Sequence, residues 1–110
     1  MGTTTTGLYR RGNSTSLRMD HVRTGPNGDL TVQNRNADDW VIGKSGGVSC
    51  FDYTPTPGTG REWTLVKGST YSDDLYLRDD QNGHWSWEPA VDMKLEDFKD
   101  LLRRIGRNFA

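Results

Sequence analysis

The chain has little of what ties small folds together by covalent or metal bonds. Its 110 residues include one cysteine, Cys50, and two histidines, His21 and His84. A single thiol makes no disulfide framework. Two histidines outside C-x-x-C or H-E-x-x-H spacing make no structural zinc site. No metal is expected, and the fold need not form in an oxidising compartment. Long apolar runs are missing too: hydrophobic residues are 32% of the chain, and no stretch nears the roughly 18 that a membrane span requires. The start, Met1 leading into Thr3 to Thr6, lacks the basic and then apolar stretches of a signal peptide. A basic excess is also absent. The formal net charge is -1, whereas nucleic-acid-binding domains are usually basic as a whole, so neither a membrane nor a nucleic acid is an expected partner.

The near-neutral total conceals segregation. Residues 1–36 carry five basic and two acidic side chains, residues 37–98 five and twelve, and residues 99–110 four and one. Two readings fit: solvated faces of both signs, or a basic cleft for an anionic small molecule with acidic surface elsewhere.

What the chain does have is aromatic residues and glycine. Four Trp, four Tyr and three Phe supply large buried areas that few aliphatics would otherwise provide, and thirteen Gly imply many turns. The length suits one domain. We expect residues 1–6 to be disordered or a linker remnant and residues 7–110 to form a single soluble, loop-rich domain. The stretch Thr54 to Gly60, with Pro55 and Pro57, reads as an exposed loop, because proline removes donors that a central strand or helix needs.

Most of the remainder reads as short strands. Gly7 to Arg10 is the first. The turn signal Gly25-Pro26-Asn27-Gly28 precedes Asp29 to Gln33, where Leu30 and Val32 alternate with polar residues. Asn34 to Asp39 reads as a polar connection, and Trp40 to Ile42, Val48 to Phe51 and Trp63 to Val66 as further strands. Leu75 to Arg78 and His84 to Trp87 flank a hairpin turn. Trp40, Trp63 and Trp87 are expected in the core. Between Arg11 and Arg23 a short helix is expected, with Leu17 and Val22 inward. Phe98, Leu101, Leu102, Ile105 and Phe109 recur at i, i+3, i+4, i+7 and i+11, which predicts a C-terminal amphipathic helix. Asp92 is its expected N-cap. Early Glu96 and Asp97 and late Arg103, Arg104 and Arg107 suit the helix dipole.

Several catalytic patterns fail. Gly43-Lys44-Ser45 resembles the end of a phosphate loop, but Asp38 stands where its first glycine belongs. A hydrolase built on Ser49 and His84 lacks a nucleophile elbow around the serine. A nuclease using His84 with Glu88 or Glu62 as its acid/base pair, and a non-catalytic binding or immunity module with an acidic face, remain as alternatives.

Three segments carry chemistry in order. Leu8-Tyr9-Arg10-Arg11-Gly12 puts arginines at the end of the first strand. Gly46 to Asp52 puts a serine behind two glycines that let backbone approach a ligand. His84-Trp85-Ser86-Trp87-Glu88-Pro89 combines an imidazole, aromatic rings and a carboxylate. This order resembles the small mono-ADP-ribosyltransferase toxins of type VI secretion, which share L-Y-R, G-G-T-S-x-F-D, W-x-L-P-K-G and H-Y-x-x-x-P before a last helix. The counterparts are Leu8 to Arg10, Gly46 to Asp52, Trp63 to Gly68, and His84 to Pro89, with Val48, Val66 and Trp85 departing from the pattern. The usual Glu-x-Glu or Gln-x-Glu ending has Ser86 at its first position.

The resemblance implies an α+β ADP-ribosyltransferase-like fold: two small antiparallel sheets around an NAD cleft, closed by the C-terminal helix. It implies NAD as substrate, transfer of ADP-ribose to a macromolecule, and a toxin domain delivered into the cytoplasm of a target bacterium. A protein acceptor, such as the translation component elongation factor Tu, and a cognate immunity protein are the implied partners. Arg10, Ser49, His84 and Glu88 are the candidate catalytic residues. Tyr9, Arg10, Arg11, Gly12, Gly47, Ser49 and Phe51 are the candidate NAD-binding residues, with Tyr9, Phe51 or Trp85 stacking on nicotinamide. A carboxylate stabilises the positive charge that develops on ribose; Glu88 is the first choice and Glu62 the second. Ser49 would bond the ribose or position Glu88. His21 and Cys50 are given no chemistry.

Overall fold

The computed structural model describes residues 1–12, 15, 17, 19–20, 22, 30–54 and 60–110. His21, the Gly25-Pro26-Asn27-Gly28 turn and residues 55–59 of the Pro-rich loop lie outside the described residues, as does most of the helix expected between Arg11 and Arg23. The two residues predicted to point inward there do so: Leu17 is buried and Val22 packs against the core.

Among the described residues there are ten strands and one helix. The strands are β1 (Gly2–Thr3), β2 (Leu8–Gly12), β3 (Val32–Arg35), β4 (Asp38–Val41), β5 (Val48–Phe51), β6 (Arg61–Leu65), β7 (Thr70–Tyr71), β8 (Leu75–Asp79), β9 (His84–Pro89) and β10 (Met93–Lys94), followed by α1 (Leu95–Gly106). They form three antiparallel sheets where two were expected. A five-stranded sheet has the order β6-β2-β5-β9-β8, a three-stranded sheet β10-β4-β3, and a two-stranded ribbon β1-β7.

The ribbon corrects the reading of residues 1–6 as disordered or linker. Gly2 and Thr3 pair with Tyr71 and Thr70, and Thr4 is buried, its N–H donating to the Ser69 carbonyl at 2.9 Å. The polar connection Asn34 to Asp39 is also corrected, since it is the turn and flanking strands of the β3-β4 hairpin. Asn36 and Ala37 both have positive φ, 52° and 68°, as a type I′ two-residue hairpin turn requires. Alanine in place of the usual glycine hid that turn.

In the large sheet, side chains alternate between two faces. One face carries Leu8, Val48, Cys50, Leu65, Leu75 and Trp87, all buried. Trp87 lies edge-on to Tyr71 with ring centroids 5.0 Å apart. The helical stripe completes this core. Phe98, Leu102 and Ile105 are buried, and α1 packs beside β10 and β4. Phe109 is buried just past the helix, and Ala110 exchanges backbone hydrogen bonds with Thr64 at 2.8 and 2.9 Å.

The helix starts later than its expected cap. Lys94 is the N-cap, with no side-chain capping bond, because Asp92 is engaged elsewhere. Its carboxylate accepts the Gly43 N–H at 2.9 Å and pairs with Arg35 at 3.0 Å. Trp40, expected in the core, is instead half-buried under the Arg35 guanidinium, 5.3 Å from the ring centroid.

Candidate active site

Ser49 is the point at which the three chemical segments meet. It sits in β5, the central strand of the large sheet, between β2 and β9. From β2, Arg10 Nη1 donates to the Ser49 carbonyl at 2.7 Å. From β9, His84 Nε2 lies 2.9 Å from Ser49 Oγ. These residues are 39 and 35 positions from Ser49 in sequence, so only sheet pairing assembles them.

The pairing also sorts the candidates by face. Tyr9 is the cross-strand partner of Phe51, and Phe51 is the partner of His84. These three side chains therefore lie on the polar face with Ser49, and the Phe51 and His84 rings meet edge-on with centroids 5.5 Å apart. Arg11 falls on this face by alternation, whereas Arg10 and Gly12 start from the other, and Arg10 reaches the centre through the Ser49 backbone. Trp85 does not join the possible stacking rings. It lies on the core side, opposite Cys50, and donates its Nε1–H to Asp52 at 3.0 Å.

Gly47 has a reason other than ligand approach to be glycine. A Cβ there would lie 1.8 Å from the Trp87 carbonyl oxygen and 3.1 Å from the Glu88 Cα. The missing side chain lets β9 run against the chain entering β5.

Glu88 shares the polar face of β9 with His84 and Ser86, but its carboxylate is turned onto Arg78. Arg78 Nε donates to Oε2 at 2.8 Å and Nη2 to Oε1 at 3.1 Å, while Nη2 also reaches the Lys44 carbonyl at 3.0 Å. The acid side chain is 3% exposed and the arginine 40%. The Glu88 hydrogen bond and charge raise the guanidinium pKa above its already high ordinary value. Two flat groups in a bidentate pair are a strong contact. Sequence reasoning missed Arg78, although register would have indicated it: Arg78 opposes Ser86, one diagonal step from Glu88.

Asp80 was missed as well. Its Oδ2 lies 2.5 Å from His84 Nδ1. Thus His84 pairs with Asp80 and Ser49, while Glu88 pairs with Arg78, and the acid/base pair His84–Glu88 that a nuclease would use is not assembled. Glu62, the second-choice carboxylate, lies opposite Arg11 in β6 and is half-buried.

Cys50 is fully buried, and desolvation pushes its thiol up to about 12, against smaller opposing effects of Arg10 and the Trp87 hydrogen bond. A thiol held neutral is a poor nucleophile. Among the described residues no cluster of His, Cys, Asp and Glu could hold a metal ion, and no helix is long and apolar enough to cross a membrane. A cavity of about 620 Å³ lies between Thr70 to Leu75 and the helix residues Leu101, Arg104 and Ile105, and none of the candidate site residues lines it.

No curated protein matches the chain. A protein-family model described as Tse2 ADP-ribosyltransferase toxin matches residues 5–110, a span that holds every segment brought together at Ser49. The chain belongs to this family of toxins, whose reaction is NAD-dependent ADP-ribosyl transfer.

Proposed function

We propose that this toxin binds NAD across the polar face of the five-stranded sheet, with Ser49 and His84 at its centre. It then moves ADP-ribose to a protein in the cytoplasm of a target bacterium. The observation that carries this reading is the convergence of Arg10, Ser49 and His84 at one position of the central strand. The side chains around that point suit the parts of NAD. Arg11 supplies positive charge for the pyrophosphate on this face, and Arg10 adds its charge from the other side while holding the Ser49 carbonyl. The backbone at Arg11 and Gly12 takes the nicotinamide carboxamide, and the adjacent Tyr9 and Phe51 rings cover the nicotinamide. Ser49 bonds the ribose.

Breaking the nicotinamide–ribose bond leaves positive charge on the sugar, and a preorganised carboxylate stabilises it. Glu88 has this role in our proposal. Both of its oxygens are neutralised by Arg78, so it stabilises the ribose only when that guanidinium turns outward, toward the solvent it already partly faces. The acceptor is proposed to be a translation component such as elongation factor Tu. We place the domain in a type VI effector, with a cognate immunity protein that covers this face.

Incubating the protein with labelled NAD and a bacterial lysate tests the proposal. Wild type should label a macromolecule; Ser49→Ala and Glu88→Gln should lose most of that labelling. Absence of labelled product with the wild type, or full activity of both variants, would refute it.

A further inference from the structure

We infer that Asp80 is a positioning residue that holds His84 in the one tautomer that turns the Ser49 hydroxyl into an acceptor facing the substrate. What the arrangement does rests on the NAD reading above; that it exists rests on geometry.

The imidazole is bonded at both nitrogens. Nδ1 lies 2.5 Å from Asp80 Oδ2 and Nε2 lies 2.9 Å from Ser49 Oγ, while Phe51 covers the ring edge-on. Two bonds on opposite sides leave the ring no free rotation. An ionised carboxylate can only accept, so Nδ1 must carry the proton, and in a neutral ring Nε2 is then the acceptor. Ser49 therefore donates its hydroxyl hydrogen to Nε2. Its oxygen lone pairs remain to accept hydrogen bonds from ribose hydroxyls.

The segment that carries Asp80 is built to stay in place. The Asp80 N–H donates to the His84 carbonyl at 3.0 Å, and the Gln81 N–H to Asp79 Oδ1 at 2.7 Å. Gln81 and Gly83 take positive φ, 64° and 80°. The Gly83 carbonyl accepts the Asp52 N–H at 2.9 Å, and a side chain at Gly83 would come within 2.6 Å of the Tyr53 ring. The loop between β8 and β9 is thereby tied to the end of β5, which carries Ser49. Without Asp80, no bond to Nδ1 found among the described residues selects the tautomer. The ring is then able to present Nε2–H to Ser49, which reverses the hydroxyl and gives the ribose a donor where it needs an acceptor.

The first test needs no variant. Nitrogen-15 NMR of His84 in the wild-type protein, at a pH where the ring is neutral, should show protonation at Nδ1. Protonation at Nε2 overturns the inference. The second test is Asp80→Ala, with folding checked by its thermal transition. Its His84 should move toward the Nε2–H form, and the rate of ADP-ribosyl transfer should fall roughly 10- to 100-fold, the scale of a misaligned reacting group. A folded Asp80→Ala protein with wild-type tautomer or wild-type rate also overturns the inference. If the wild type transfers no ADP-ribose, the NAD reading fails, and the tautomer measurement alone decides whether Asp80 positions His84.

Discussion

Gly47→Ala separates two explanations of a glycine in the most chemically charged segment of the chain. If the glycine exists to let NAD approach, the variant folds normally and binds NAD poorly. If it exists for strand packing, the variant loses stability first. The structure favours the second, because the added Cβ would meet the Trp87 carbonyl oxygen at 1.8 Å and the Trp87 carbonyl carbon at 2.7 Å. Both are main-chain atoms of β9, which is paired on its two sides with β5 and β8, so no side-chain rotation relieves the contact. Overpacking in cores costs about 1–3 kcal/mol when side chains can yield. Here a strand must shift, and the expected loss is about 3 kcal/mol or more at the upper end of that range. For a domain of this size that lowers the thermal midpoint by roughly 12 °C. Gly7→Ala is the control. Its Cβ would lie at ordinary contact distance, 3.7 Å, from the Leu65 carbonyl, and it should change stability by less than about 0.5 kcal/mol. Urea denaturation of both variants reads the difference. A Gly47→Ala protein as stable as Gly7→Ala would refute the packing argument and restore ligand approach as the reason for the glycine.

Leu102→Ala should cost about 2–5 kcal/mol by urea denaturation, since Leu102 is fully buried on the core side of α1 and truncating it removes buried methyl groups and leaves a cavity. Cys50 should react with a thiol reagent only as fast as the protein opens, because burial holds the thiol neutral and inaccessible; prompt modification at pH 8 in native buffer would contradict this. The Gly43 N–H, and then Arg35, hold the Asp92 carboxyl below its ordinary pKa. That contribution is present above the unfolded carboxyl value and is lost as pH falls through the lower folded value. Wild type should therefore exceed Asp92→Asn in stability at pH 7, and the difference should shrink as pH falls below about 4. A constant difference down to pH 2 would rule out Asp92 as its source.

Local pattern was enough for several elements. The apolar repeat from Phe98 to Ile105 could bury only as a helix, and the alternation in Val48 to Phe51 and His84 to Trp87 could only be strands with one apolar face. The segments around Arg10, Ser49 and His84 were visible for the same reason: their residue types are out of place in an ordinary strand. Where local pattern was weak, the reading failed. Asn36 and Ala37 make a hairpin turn without its usual glycine, and β1 exists only because β7 is there to pair with it. Asp92 is a good cap by type, but Gly43 and Arg35, 49 and 57 residues away, hold it.

The same division runs through the site. The amino-acid sequence by itself determined the inventory: two arginines ending a strand, a serine behind glycines, a histidine and an acid on one aromatic strand. Which of these act together was decided by the register of β5 against β9 and of β8 against β9. Those registers placed His84 on Ser49, gave Glu88 to Arg78, left Asp80 for His84, and turned Trp85 to the core face. A shift of one residue in either pairing would have exchanged the two faces. Register depends on contacts between segments tens of residues apart, and no local sequence window contains them.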